Sequence, residues 1–80
     1  MSWFVYVLQC ADGSLYTGIT NDLRRRLAAH RAGTASRYTR ARLPVRLVYQ
    51  ERRRTHSAAL KREAAIKRLP RATKLKMLGR

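Results

Sequence analysis

The chain has 80 residues, with 19 Lys and Arg against 4 Asp and Glu, a formal net charge of +15. That length suits one domain, 1–80, around one small core, and the charge implies a polyanionic partner. The four acids, Asp12, Asp22, Glu51 and Glu63, could hardly assemble the carboxylate cluster of a two-metal site, and the single Cys10 rules out an internal disulfide or a multi-cysteine zinc site.

Trp3 to Cys10 is rich in aromatic and β-branched residues and reads as a strand. Ala11-Asp12-Gly13 is a turn signal, and Leu15 to Ile19 reads as a second strand, so the two form a hairpin. Asn21 or Thr20 caps a helix from about Asp22 to Ala32, with Asp22 in its first turn and Gly33 as its stop. Thr34 to Leu43 is a polar, basic loop with room for one helical turn. Pro44 leads into a third strand, Val45 to about Glu51. A second helix runs from Ser57 or Ala58 to Leu69; Pro70 ends it and suits the first turn of a last short helix, which stops near Gly79. The order ββαβαα describes an α+β domain, a three-stranded antiparallel sheet flanked by helices.

Two hairpin registers suit the sequence. A two-residue Asp12-Gly13 turn puts Tyr6 and Tyr16 on opposite faces. A three-residue loop with Gly13 in the left-handed position pairs Cys10 with Ser14, Leu8 with Tyr16 and Tyr6 with Gly18. That second register sets both tyrosines on one face and leaves open space opposite Tyr6.

Helical phase divides the run "LRRRLAAH". Leu23, Arg26, Leu27 and His30 form an i, i+3, i+4, i+7 stripe, while Arg24, Arg25 and Arg31 fall outside it. Arg26 therefore leans toward the sheet, either snorkelling along the core or holding a phosphate. In the second helix, Ala59, Leu60 and Ile66 lie on one side with Glu63 in the middle of that arc. A carboxylate there needs an ion-pair partner, such as Arg26 or Lys67, or a cation. Glu51 stands near a strand end with no evident partner, and His56 is expected to be exposed at a helix start. Tyr38, in the basic stretch "SRYTRAR", can stack on a base.

The stretch "FVYVLQCADGSLYTGITNDLRRRLAAH" resembles the amino-terminal half of a GIY-YIG nuclease domain. Phe4-Val5-Tyr6 stands at the first triplet and Tyr16-Thr17-Gly18 at the second, with Phe4 in place of the first glycine and Thr17 at the centre of the second triplet. Arg26 occupies the position of the family's catalytic arginine, His30 follows one turn later, and "ALKREAAIKRLP" is similar to the later helix whose glutamate binds metal, here Glu63. The whole chain resembles the short, stand-alone YhbQ-like members. This likeness favours the three-residue loop.

The resemblance implies a metal-dependent endonuclease that hydrolyses DNA phosphodiesters with one divalent ion, Mg²⁺ or Mn²⁺. Glu63 would hold the ion against a phosphate oxygen, and the ion would stabilise the leaving 3′-oxygen. Arg26 would neutralise charge on the phosphate. Tyr6 would take a proton from water, Tyr16 would assist, and His30 would orient or relay. Arg26 and the ion would favour the Tyr6 phenolate. Arg24, Arg25, Arg37, Tyr38, Arg40 and Lys67 are the expected nucleic-acid contacts. The rival readings are a basic nucleic-acid-binding module with the same fold and little catalysis, and a small ribosome-associated protein. Basic residues are spread along the whole chain rather than over one helix with an apolar face, which favours nucleic acid over lipid. No apolar run is long enough to span a membrane, no signal peptide is visible and no obligate protein partner is evident, so a cytoplasmic location is expected.

Overall fold

A computed structural model describes residues 2–79. The elements are β1 (Trp3–Gln9), β2 (Leu15–Thr20), α1 (Leu23–Arg31), α2 (Arg37–Arg40), β3 (Arg46–Arg53), α3 (His56–Arg68) and α4 (Arg71–Met77). The strands form one antiparallel sheet in the order β2-β1-β3. The expected α+β architecture is present, with the basic loop forming the single turn of α2.

The hairpin takes the three-residue loop. Gly13 has φ +85°, Cys10 N–H donates to the Ser14 carbonyl at 2.9 Å, and Gly13 N–H donates to the Cys10 carbonyl at 2.9 Å. Tyr6 therefore pairs with Gly18 and Leu8 with Tyr16. Alternation along the strands then separates two apolar clusters. Val5 and Val7 pack with Ala59 and Ile66 of α3, joined by Ile19, Val48, Met77 and Leu78. Tyr6, Leu8 and Cys10 pack with Val45, joined by Tyr16, Leu23 and Leu27 of α1. The sheet is the middle layer, with α1 on one face and α3 on the other. Between β1 and β3 the register slips at Val7/Leu8, which leaves Val48 as the extra residue of a bulge.

Helix ends follow local chemistry, and several boundaries differ from those read off the sequence. Asp22, not Thr20 or Asn21, caps α1, because its side chain accepts from Arg25 N–H at 3.1 Å. Thr20 supports that cap, its Oγ1 accepting from Asp22 N–H at 3.0 Å. The α1 exit is closed by Gly33 at φ +78°, whose N–H donates to the His30 carbonyl. Thr55 caps α3 through Ala58 N–H, so that helix begins at His56. Pro70 is the cap residue of α4 rather than part of its first turn. β3 runs on to Arg53 because its pairing with β1 extends to Trp3.

Two packing expectations are corrected. Leu60 is 44 % exposed: Ala59 and Ile66 define the buried line of α3, and Leu60 lies one position round from it. Glu51 is far from unpartnered. It accepts from Tyr49 Oη and Arg62 Nε, both at 2.8 Å, and pairs with Arg53. Arg62 also reaches the Met77 sulfur, so this one carboxylate ties β3, α3 and α4 together.

Candidate functional site

Tyr6 is the centre of the site. Its side chain is 1 % exposed and lies across Gly18 at the β2 edge of the sheet. A Cβ built on Gly18 would stand 2.6 Å from Tyr6 Oη and 2.7 Å from Cζ. The space opposite Tyr6 is therefore filled by the Tyr6 ring itself, and Gly18 is what allows the phenol to lie there.

Of the sequence-selected residues, His30 touches that hydroxyl, and Tyr16, Arg26 and Glu63 act on Tyr6 through charge. His30 Nε2 is 2.8 Å from Tyr6 Oη, and the imidazole is fully buried. Tyr16 sets its ring edge-on to His30, with centroids 5.3 Å apart at 65°. Arg26 is exposed, yet its positive charge acts on both Tyr6 and His30. Glu63, on α3 across the sheet, is near enough for its charge to act on Tyr6.

The electrostatics keep Tyr6 protonated. Burial, reinforced by Tyr16 and Glu63, pushes its pKa up to about 12, against the opposing pull of Arg26. The phenolate was expected to be favoured by Arg26 together with a bound ion; with Arg26 alone acting it is on the order of one part in 10⁵ at neutral pH. His30 moves the other way. Burial, with Arg26 adding to it, lowers its pKa, so the imidazole is neutral and has a lone pair to offer.

The remaining candidates surround this centre. Glu63 accepts an ion pair from Lys67 at 3.5 Å; the Lys67 side chain is exposed and the Glu63 side chain is mostly covered. Such a pair is worth only about 0–1 kcal/mol, so a cation can displace the lysine. Among the described residues no group of three or more His, Cys, Asp and Glu gathers as a metal cage. The donor set therefore fits a hard ion that keeps most of its waters, as Mg²⁺ and Mn²⁺ do, and not a softer ion such as Zn²⁺. Arg25 and Arg26 line a cleft of about 270 Å³ with Thr20, Asn21, Asp22 and Ala29. A hollow of about 480 Å³ lined by Gln9, Cys10 and Pro44 shares none of these residues. Arg24, Arg37 and Arg40 are exposed on α1 and α2. Tyr38 stacks on Tyr16, with centroids 6.0 Å apart, and Arg42 lies over the Tyr38 ring at 3.8 Å.

Sequence reasoning missed Thr39 and Arg42. Thr39 is fully buried, and its Oγ1 is 2.8 Å from His30 Nδ1. Arg42 donates to Asp12 at 3.1 Å and to the Tyr38 carbonyl at 3.0 Å, which pins the loop against the hairpin turn. A single helical turn is too short to carry a periodic signal, so no pattern marked either residue.

The chain is similar to known proteins in sequence and in fold. The family model described as the GIY-YIG catalytic domain matches residues 2–76. A UPF0213 protein of Streptococcus sanguinis is 53% identical over 72 residues, covering 90% of this chain and 83% of its own. A UPF0213 protein of Desulfotalea psychrophila is 56% identical over 69 residues; the match takes in 85% of this chain but 63% of that protein's length. The solution NMR structure of a UPF0213 protein from Bacillus halodurans superposes with a TM-score of 0.64 at 39% identity, covering 99% of this chain and 84% of that one. The NMR structure of an Enterococcus faecalis protein gives the same TM-score at 40% identity, over 96% and 83% of the two chains. No helix among the described residues is long and apolar enough to cross a membrane. With the two triplets, the helix arginine and the glutamate all on the matched stretch, the chain belongs to the GIY-YIG family, a nuclease family, and its relatives include UPF0213 proteins.

Proposed function

We propose that the protein is an endonuclease that hydrolyses DNA phosphodiesters with one divalent ion, Mg²⁺ or Mn²⁺, held by Glu63. The observation that carries this reading is the buried Tyr6–His30 hydrogen bond at the sheet edge, with the charges of Arg26 and Glu63 acting on the same tyrosine. Arg26 grips the scissile phosphate and neutralises its growing charge. A water beside Tyr6 gives its proton to Tyr6 Oη as its oxygen attacks phosphorus. Tyr6 passes its own proton to His30 Nε2, so no free phenolate accumulates. The P–O3′ bond breaks, and the leaving oxygen is protonated from solvent. Tyr16 packs the imidazole in place. When bound, the ion supplies Lewis-acid charge at the phosphate. The four acids are each engaged with a cation or a cap, which leaves a large excess of positive charge to attract the polyanion, with Arg24, Arg25, Arg37 and Arg40 on the α1–α2 side.

A second reading is a nucleic-acid-binding module that cuts poorly. Lys67 on Glu63 favours it, since the lysine must leave before a cation binds.

Plasmid, single-stranded and branched DNA incubated with Mg²⁺ or Mn²⁺ test both readings. The wild type is expected to cut, and Glu63→Ala and Arg26→Ala to lose at least about 100-fold. Equal cutting by all three places the chemistry elsewhere. Binding with a steep salt dependence and no cutting by any of them selects the binding module.

A further inference from the structure

Tyr6, His30 and Thr39 form a buried chain whose proton positions follow from donor counting. Tyr6 Oη touches His30 Nε2 at 2.8 Å, and His30 Nδ1 touches Thr39 Oγ1 at 2.8 Å. Thr39 Oγ1 also reaches back to the Ser36 carbonyl at 3.4 Å, the local bond that threonine makes within a helical turn. At the other end, the positive charge of Arg26 acts on Tyr6, and a cation beside a hydroxyl turns the hydroxyl proton away from itself. Both ends point the same way: Tyr6 donates to His30, His30 to Thr39, and Thr39 to a backbone carbonyl. The side chains facing the imidazole are Tyr6 from β1, Tyr16 from β2, Arg26 from α1 and Thr39 from α2, and no carboxylate hydrogen-bonds it among the described residues.

We infer that Thr39 is a positioning residue that holds His30 in the Nδ1–H tautomer, leaving Nε2 as the acceptor for the Tyr6 proton. A neutral imidazole with its proton on Nε2 would instead donate to Tyr6 and block the transfer. Thr39 acts through His30 and touches no reacting atom. Its part in the reaction rests on the nuclease reading; the tautomer does not.

The test is a long-range ¹H–¹⁵N correlation spectrum of the imidazole nitrogens in the full chain at neutral pH. A His56→Gln variant assigns the signals, since His56 is the other histidine. The wild type is expected to show a protonated Nδ1 and a bare Nε2. Thr39→Val, similar in shape but unable to accept, should move the proton to Nε2, and Thr39→Ser should leave it on Nδ1. In the cleavage assay Thr39→Val should lower kcat by roughly 10- to 100-fold with KM within about twofold, and Thr39→Ser should restore it. A wild-type spectrum with the proton on Nε2 overturns the inference, and it does so whether or not the valine variant folds. A valine variant that keeps Nδ1–H also overturns it. Failure of the wild type to cleave would sink the proposed function and leave the tautomer result standing.

Discussion

Replacing Gly18 with alanine sets one methyl group against the central side chain of the site. Its φ lies outside the left-handed region, so the backbone itself accepts alanine. The new Cβ would stand 2.6 Å from Tyr6 Oη, 2.7 Å from Cζ and 3.1 Å from Cε1, so the ring must move. Tyr6 is 1 % exposed and tied to a fully buried His30, so it has no free direction to take. Overpacking of this kind costs about 1–3 kcal/mol. A buried hydrogen bond lost or stretched adds about 1–2 kcal/mol. The gain from replacing glycine in a strand offsets about 0.5–1 kcal/mol. The expected net loss is about 1–4.5 kcal/mol, read as a drop of at least about 0.5 M in the urea midpoint at unchanged m-value. Cleavage should fall with it, because the Tyr6 hydroxyl leaves His30. In a Tyr6→Leu background the shorter side chain does not reach Gly18, and the same substitution should cost less than about 1 kcal/mol. A loss within about 0.5 kcal/mol of zero for Gly18→Ala alone, with cleavage retained, would refute the placement of Tyr6 over Gly18.

Two further outcomes follow from the titrating groups. Burial raises the Glu51 carboxyl, but its bonds to Arg62 and Tyr49 outweigh that and leave the pKa below the ordinary value. Its contribution is therefore present above the unfolded carboxylate pKa and is lost as pH falls through the folded one. Glu51→Gln should cost about 1–3 kcal/mol at neutral pH and flatten the acid limb of the stability curve, with cleavage measured at low temperature unchanged. Tyr6, raised from 10.0 to about 12, contributes stability that is full below pH 10 and is lost as pH rises from there to about 12. Tyr6→Phe should remove that alkaline loss; an unchanged alkaline limb in chemical denaturation would show that Tyr6 does not titrate as described.

How much of this was legible in the sequence depends on how far each residue's signal reaches along the chain. The strands and long helices declared themselves by composition and by Gly and Pro punctuation. The stripe of Leu23, Leu27 and His30 was readable by phase, and His30 is indeed buried. The same phase set Arg26 on the side of Tyr6 and His30, and its charge acts on both although the residue is exposed, as a long side chain allows. It misjudged Leu60 because the apolar arc of α3 is narrow, only Ala59 and Ile66 being buried on it. Glu51 looked solitary because its partners Tyr49 and Arg53 lie on its own strand and Arg62 is eleven positions away on α3. Thr39 was invisible for a related reason: its partner lies nine positions back, across a loop.

The hairpin register is what lets residues from both sides of the sheet contribute to one candidate site. With the three-residue loop, Tyr6 and Tyr16 share the face that α1 covers, while Val5 and Val7 share the face that α3 covers. Arg26 and His30 then belong to one layer and Glu63 to the other, and an ordinary β-strand would separate them. Two features remove that barrier. β2 is an edge strand, so nothing beyond it blocks the approach of a large polyanion. Gly18 presents no side chain on the α1 face, so the Tyr6 phenol can run across β2 toward that edge, where the charge of Glu63 reaches it. A one-residue slip to the two-residue turn would place Tyr6 and Tyr16 on opposite faces and break the set. Gly13, at φ +85° in that turn, therefore bears on the site although it touches none of it.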